Sequence, residues 1–411
     1  MPFSTEALLR AMAPIDLVVE KFIASLNGDT DNRHSEDAEV ECSESESTII
    51  NVPIWATPEV GQYKFAQIVS RVVLSRFTPT KRYVRRLLTR YVAKIEREAG
   101  VEIEDETLAG LIAEHAFSPS RSFASSAATS GGGGLAGGDV PDPNAYGCVS
   151  FAIPKSNGTA VAESSCSVIS DNIVGVRVYP HHNDVGVRRL WEAGGALAEY
   201  LLTFPELIKG RVVLELGAGV GLTGIVAAGI CAPKCLYLTD YTDTCLENMR
   251  HNIDFNADWL QRQGVYVETM ENVMSKRRGN VLTCGYLEWS EYSNANDSLF
   301  AVSDAEILLA ADVVYDVLYI PNLVRTVKRL LQEGKKTDNA ETADTPHFER
   351  KAIFATTFRN AETFFLFTSE LRNEGIKCEY TDTQTMKNLA QIFPCYFNQP
   401  REDVRICTMM A

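Results

Sequence analysis

The sequence has no C-x-x-C pair among its ten cysteines. Cys231 and Cys235 are the nearest in sequence, and no matching Cys/His pair follows them. That excludes the usual zinc modules and a disulfide framework, and no metal site is assigned. No apolar run reaches the roughly 18 residues needed to cross a bilayer, so no membrane span is expected. The opening MPFSTEALLRAM has no basic-then-apolar leader pattern. A cytoplasmic location is the expectation. Basic residues are in the minority, 39 against 54 acids, for a net charge of −15 over 411 residues. A surface of that sign repels phosphate, so no direct nucleic-acid binding is expected. There is no internal repeat. Oligomeric state is not legible.

What is present falls into three parts: a helical module (1–120), a Gly/Ser-rich linker (121–147) and an α/β domain (148–411). In the first, residues 3–26 have a helical apolar set in Leu8, Leu9, Leu17, Val18 and Phe22, and Pro14 should break the helix. Residues 29–48 hold eight acids against one arginine, a composition that buries little. Helices are expected over 61–76, 81–98 and 104–117. The 81–98 helix puts Val84, Leu87, Leu88, Tyr91 and Ile95 on one face. Lys81, Arg82, Arg85, Arg86 and Arg90 decorate the rest, a solvated face or a docking patch.

Beyond the linker, short strand-like runs alternate with amphipathic helices, the pattern of a Rossmann-like α/β sheet with helices on both faces. Strands are expected at 212–216, 236–239, 280–287, 305–310, 353–358, 376–380 and 404–409, seven in all, the last two as a closing pair. Residues 334–350 look like an inserted loop. Asn360 is placed to cap one helix and Gly375 to end it.

The first strand runs directly into Gly217, Gly219 and Gly221, where a helix begins. Such a turn brings backbone N–H groups close to a ligand without a Cβ in the way. Asp240 ends the second strand, where a carboxylate can accept both ribose hydroxyls. Gly219, Gly221 and Gly224 also fit the G-x-G-x-x-G dinucleotide pattern. Two features favour a different nucleoside. The first glycine after the strand is Gly217, so the turn reads E-x-G-x-G. Glu215 would suit the cationic amino-acid end of S-adenosylmethionine and do little for a pyrophosphate.

Ala311, Asp312 and Tyr315 close the fourth strand, on the sheet edge where such folds bind ligands. A carboxylate with an aromatic three residues on can hold an amine by charge and π face. A capping aspartate and a core tyrosine fit the spacing equally. Trp191 and Trp289 suit either a cofactor wall or ordinary core. His181 and His182 receive no role.

These pieces together resemble the eukaryotic seven-β-strand protein-lysine methyltransferases: L-W-E-A-G at 190–194, V-L-E-L-G-A-G-V-G-L-T-G at 213–224, Asp240, L-E-W at 287–289 and A-D-V-V-Y at 311–315. Three further stretches, at 82–88, 167–175 and 354–371, are similar to the subfamily that methylates elongation factor 2. The resemblance implies S-adenosylmethionine as cofactor and a protein lysine as acceptor, with elongation factor 2 as the partner. It implies Trp191, Glu215, Gly217, Gly219, Gly221, Asp240, Trp289 and Ala311 around the cofactor, and Asp312 and Tyr315 at the amine. A methyltransferase for RNA or small molecules, or a non-catalytic cofactor-binding scaffold, stay as alternatives. The Asn/Asp-Pro-Pro-aromatic box and the cysteine nucleophile that would mark the first do not appear.

Overall fold

A computed structural model describes residues 3–28, 52–115, 142, 144–154, 172–268, 280–294, 304–333 and 349–411. The acidic run, nearly all of the Gly/Ser-rich segment and most of 334–350 lie outside these. The chain divides into two units, Met1–Val149 and Ser150–Ala411.

In the first unit Pro14 does split the opening helix, into Thr5–Arg10 and Ile15–Gly28. Helices Tyr63–Val73, Lys81–Lys94 and Glu106–His115 follow. Their apolar faces meet on an aromatic centre. Phe65 stacks on Tyr91 at 3.8 Å, and Phe22 meets both rings edge-on. Stacked and edge-on pairs of this kind add about 0.5–1.5 kcal/mol each beyond burial. The Tyr91 hydroxyl, fully buried, donates to the Trp55 carbonyl at 2.7 Å, so no polar atom is stranded there. The basic side chains of Lys81–Lys94 lie outward, with Arg90 paired to Asp16 and Lys94 to Glu20 and Glu98.

In the second unit, β1 (Gly147–Ala152, which begins just before the boundary) and β2 (Ile173–Val178) precede the main sheet. That sheet comprises β3 (Val212–Leu216), β4 (Cys235–Asp240), β5 (Val265–Val267), β6 (Asn280–Tyr286), β7 (Ile307–Ala311), β8 (Lys351–Thr357), β9 (Lys377–Tyr380) and β10 (Val404–Met410). Its order is β5-β6-β4-β3-β7-β8-β10-β9. Pairing is parallel from β5 to β8, and β10 runs antiparallel to both β8 and β9. The seven expected strands are all here, and among the described residues the sheet has eight. The extra one, β5, adds three residues to the edge beside β6. It is too short for periodicity to reveal.

β3 is buried at every position, as a central parallel strand must be. On one face lies helix Ile320–Glu333, whose Leu323, Val324, Val327, Leu330 and Leu331 are at most 2% exposed. Pro321 occupies its first turn, where the missing N–H costs nothing. Asn360 caps helix Ala361–Asn373, accepting from the N–H groups of Glu362 and Thr363. Gly375 then turns the chain at φ 72°.

The backbone of β2 is held by side chains. Helix Asp243–Phe255 and the residue after it place Asn248, Asn252 and Asn256 one turn apart on a single face. Asn256 bonds both the N–H and the carbonyl of Gly175, at 3.1 and 2.7 Å. Asn252 accepts from the Arg177 N–H at 2.8 Å, and Asn248 donates to the Arg177 carbonyl. Asn252 also donates to the carbonyl of Val220, inside the glycine turn. Helix, strand and turn are thereby fixed to one another.

Candidate active site

Parallel pairing brings the carboxyl ends of β3, β4, β6, β7 and β8 to one edge, and the cleft opens there. The turn after β3 sets its floor. Gly217 and Gly219 hold φ of 63° and 55°, a region that side chains disfavour. Space forbids a side chain as well. A Cβ on Gly219 would lie 2.8 Å from the Gly186 carbonyl oxygen, and one on Gly217 would lie 2.8 Å from Val313. Asp240 receives the Gly219 N–H at 3.0 Å on one oxygen and the Tyr241 N–H at 2.8 Å on the other. It is 7% exposed, and burial pushes its carboxyl above the usual range. Asp240 also lines the cleft.

Glu215, one strand over, is 2% exposed, and its Oε2 accepts no hydrogen bond among the described residues. Burial, helped by the charge of Asp240, pushes its carboxyl up to about 8. Such an acid is poised to ionise when a cation arrives beside it.

The cleft has a volume of about 1590 Å³ counted to its open mouth. It brings together Trp191, Glu215, Gly217, Gly219, Asp240, Trp289, Ala311, Asp312 and Tyr315. Gly221 is not part of its lining. At φ 79° it opens helix Leu222–Cys231, with Met249 3.0 Å from where a Cβ would sit. A smaller recess joins the cleft between Tyr241 and Trp289, with Leu287 and Tyr319 behind them. Aromatic side chains beside a buried aspartate give this recess the chemistry of a site for a flat ring.

Asp312, which the spacing fits equally as an amine-holding or a capping carboxylate, has its hydrogen-bonding capacity engaged within the protein. It adopts φ 53°, and its carboxylate is 4% exposed. It accepts from the Ala193 N–H, the Thr357 N–H and hydroxyl, and both terminal nitrogens of Arg359, at 3.0 to 3.2 Å. Tyr315 is 55% exposed at the mouth, with its phenol pushed up to about 12 by burial, so it stays protonated. Trp191 caps helix Glu192–Thr203 and donates its indole N–H to the Val185 carbonyl at 3.1 Å.

Several lining residues were not singled out in the sequence. Asp184 accepts from the Gly186 N–H and the Thr242 hydroxyl, folding the 184–187 turn against the glycine turn. Arg189 and Arg359 flank Trp191, their guanidinium carbons 4.2 and 5.4 Å from its ring centre. The only sequence hints were the R-R pair before the tryptophan and the F-R-N after β8.

A glycine turn with an acidic strand-end partner, on a sheet closed by an antiparallel pair, defines a Rossmann-like domain of the methyltransferase type. Residues 180–340 are similar to the lysine methyltransferase family. The chain is 29% identical over 231 residues to the human protein-lysine N-methyltransferase EEF2KMT, covering 56% of this chain and 59% of that protein. It is 32% identical over 173 residues to the protein N-terminal and lysine N-methyltransferase efm7 of Emericella nidulans, covering 41% of this chain and 61% of that one. The chain thus spans less than two thirds of the length of these relatives. No described helix is long and apolar enough to cross a membrane.

Proposed function

We propose that this protein transfers methyl groups from S-adenosylmethionine to a protein lysine, with elongation factor 2 as the acceptor. One observation carries the reading. The glycine turn, Asp240, Asp312 and Tyr315 all line a single cleft, and Tyr315 also borders the aromatic recess with Tyr241 and Trp289. When bound, S-adenosylmethionine supplies the methyl group on its sulfonium. Asp240 holds the ribose and Glu215 faces the amino-acid end. Tyr241 and Trp289 flank the base. The side chains at 311–315 border the amine. Substrate choice rests on the relatives named above, the human one of which is named as a protein-lysine N-methyltransferase.

The chemistry asks for a neutral amine. An ordinary lysine near pKa 10.4 lies about 3 units above neutral pH, so exposing its lone pair costs about 4 kcal/mol. A walled cleft lowers that cost by desolvation. No covalent nucleophile is required, since holding the amine in line with the methyl group does most of the work.

The direct test incubates the purified chain with methyl-labelled S-adenosylmethionine and purified elongation factor 2. Label on a lysine of the factor is expected. Label on other proteins of a host extract, with none on the factor, would overturn the acceptor.

Two measurements address the cofactor half. Asp240→Ala is expected to weaken S-adenosylhomocysteine binding by about 1.5–3 kcal/mol, the scale of hydrogen bonds to a charged group. Unchanged affinity by calorimetry would remove Asp240 from the site. Glu215, with its acid at about 8, is mostly protonated at neutral pH. A ligand ammonium favours the carboxylate, so protons leave on binding and affinity rises with pH up to that value. Calorimetry in buffers of different protonation enthalpy is expected to show release of about one proton at neutral pH, lost in Glu215→Gln.

A further inference from the structure

The amine end of the cleft holds two carboxylates and two guanidiniums in one cluster. Arg359 lies two residues beyond β8. Its two terminal nitrogens fork onto the two oxygens of Asp312 at 3.0 and 3.2 Å, a bidentate pair. One of them also reaches Glu192 at 2.8 Å. Arg189 holds the other oxygen of Glu192 at 3.1 Å. Glu192 is fully buried and Asp312 nearly so, while Arg359 is 32% exposed and lines the cleft. The four charges cancel.

We infer that Arg359 is a positioning residue that sets the charge met by the methyl-accepting amine: by clamping Asp312 it leaves the amine end of the cleft without an unneutralised carboxylate, so that a lysine is held there unprotonated. The inference rests on the lysine-methylation reading. An unpaired carboxylate within reach of a lysine favours its ammonium form and raises its pKa by about 1–3 units. An ammonium has no lone pair to attack with. The clamp keeps Asp312 where β7 ends and removes that penalty.

The other ionisable groups around the cleft come from each packed element. Asp184 belongs to the turn before Trp191, and Glu215 to β3. Asp240 and Tyr241 close β4, and Cys245 lies on the following helix. Tyr315 and Asp316 follow β7. Asp184 and Asp240 are engaged by backbone N–H groups at the nucleoside end. Burial pushes the Cys245 thiol up, so it stays neutral. Asp316 accepts from the Leu318 N–H and Glu288 from the Glu291 N–H, while burial pushes up the Cys395 thiol, which faces the cluster and stays neutral, so Asp312 and Glu192 are the carboxylates that meet Arg359.

The test measures kcat against pH between about pH 6.5 and 9.5, which reports ionisations in the enzyme–substrate complex. The probe is the full chain with labelled S-adenosylmethionine and purified elongation factor 2. Arg359→Met is expected to move the midpoint of the alkaline rise upward by about one pH unit or more. S-adenosylhomocysteine affinity should stay within about twofold of wild type, since Arg359 lies away from the nucleoside. The double variant D312N/R359M, with both charges gone, is expected to return the midpoint to the wild-type position. Arg359→Lys keeps a charge and is expected to leave it in place. A rate lowered by the same factor at every pH in Arg359→Met, or a double variant that keeps the shifted midpoint, would overturn the inference. Should Arg359→Met melt below the assay temperature, Arg359→Lys and Asp312→Asn carry the test, and an upward shift in either overturns it. If wild-type protein leaves elongation factor 2 unlabelled, the acceptor is wrong. The same profiles taken on the acceptor labelled in host extract still decide the role of Arg359.

Discussion

Alanine at Asp312 is expected to slow methyl transfer at least about a hundredfold, because the Asp312–Arg359 clamp that shapes this part of the cleft is lost. Stability should fall as well, because this aspartate is a structural hub. It joins the end of β7 to β8, to the start of helix Glu192–Thr203 and to Arg359. Its loss leaves the Ala193 and Thr357 N–H groups without their acceptor, at about 1–3 kcal/mol each where they are buried. Its left-handed φ adds to this, since alanine tolerates that conformation less well than aspartate. Asp312→Asn separates the two effects. It keeps the conformational preference and one accepting oxygen while deleting the charge, and its amide NH2 then faces donors, so some loss of stability is expected with it. Asn with a near-normal melting temperature and a large rate loss places the charge in the mechanism. A rate that falls only in proportion to folded protein makes Asp312 purely structural. Tyr315→Phe is expected to cost less than Tyr315→Ala on the same assay, because the ring that walls the mouth survives in the first.

Gly219→Ala is expected to weaken S-adenosylhomocysteine binding by more than about tenfold. Left-handed strain alone costs roughly 1–2 kcal/mol for a residue with a Cβ. The new Cβ would also press on the Gly186 carbonyl, which is backbone and cannot swing away. The turn must then shift, and the Gly219 N–H is pulled off Asp240. Gly264→Ala is the matching control: its φ is 76°, but nothing lies within 4 Å of the Cβ position, and it is far from the cleft lining. Equal loss of affinity in both variants, measured by calorimetry, would mean that strain and not the cleft is being read.

What could be read in the sequence was local. The glycine turn follows its strand without a gap, Asp240 closes the next one, and Asp312 closes β7; each position is set by a run of a few residues. That all of them meet at one edge follows from parallel pairing. What escaped depends on register between distant segments. β7 pairs Ala311 with Ala355, which carries Asp312 past Thr357 and within reach of Arg359. Glu192 meets Arg359 from 167 positions away. No spacing rule contains that information, so the sequence leaves Asp312 equally an amine-holding or a capping carboxylate and does not show its clamp. β5 escaped for the opposite reason, having only three residues to show a period. The asparagines at 248, 252 and 256 were visible as a spacing of four, but β2 as the strand they hold was not.

Those amides bear on how the nucleoside turn behaves before anything binds. Asn252 holds the Val220 carbonyl, Asp240 the Gly219 N–H and the Thr239 carbonyl the Ala218 N–H, so three consecutive residues are anchored from outside the turn. Fixing a residue's backbone costs about 1–2 kcal/mol in lost chain entropy. Here that cost falls on folding. The turn is preorganised, and the affinity for a nucleoside is not diminished by ordering the backbone that receives it.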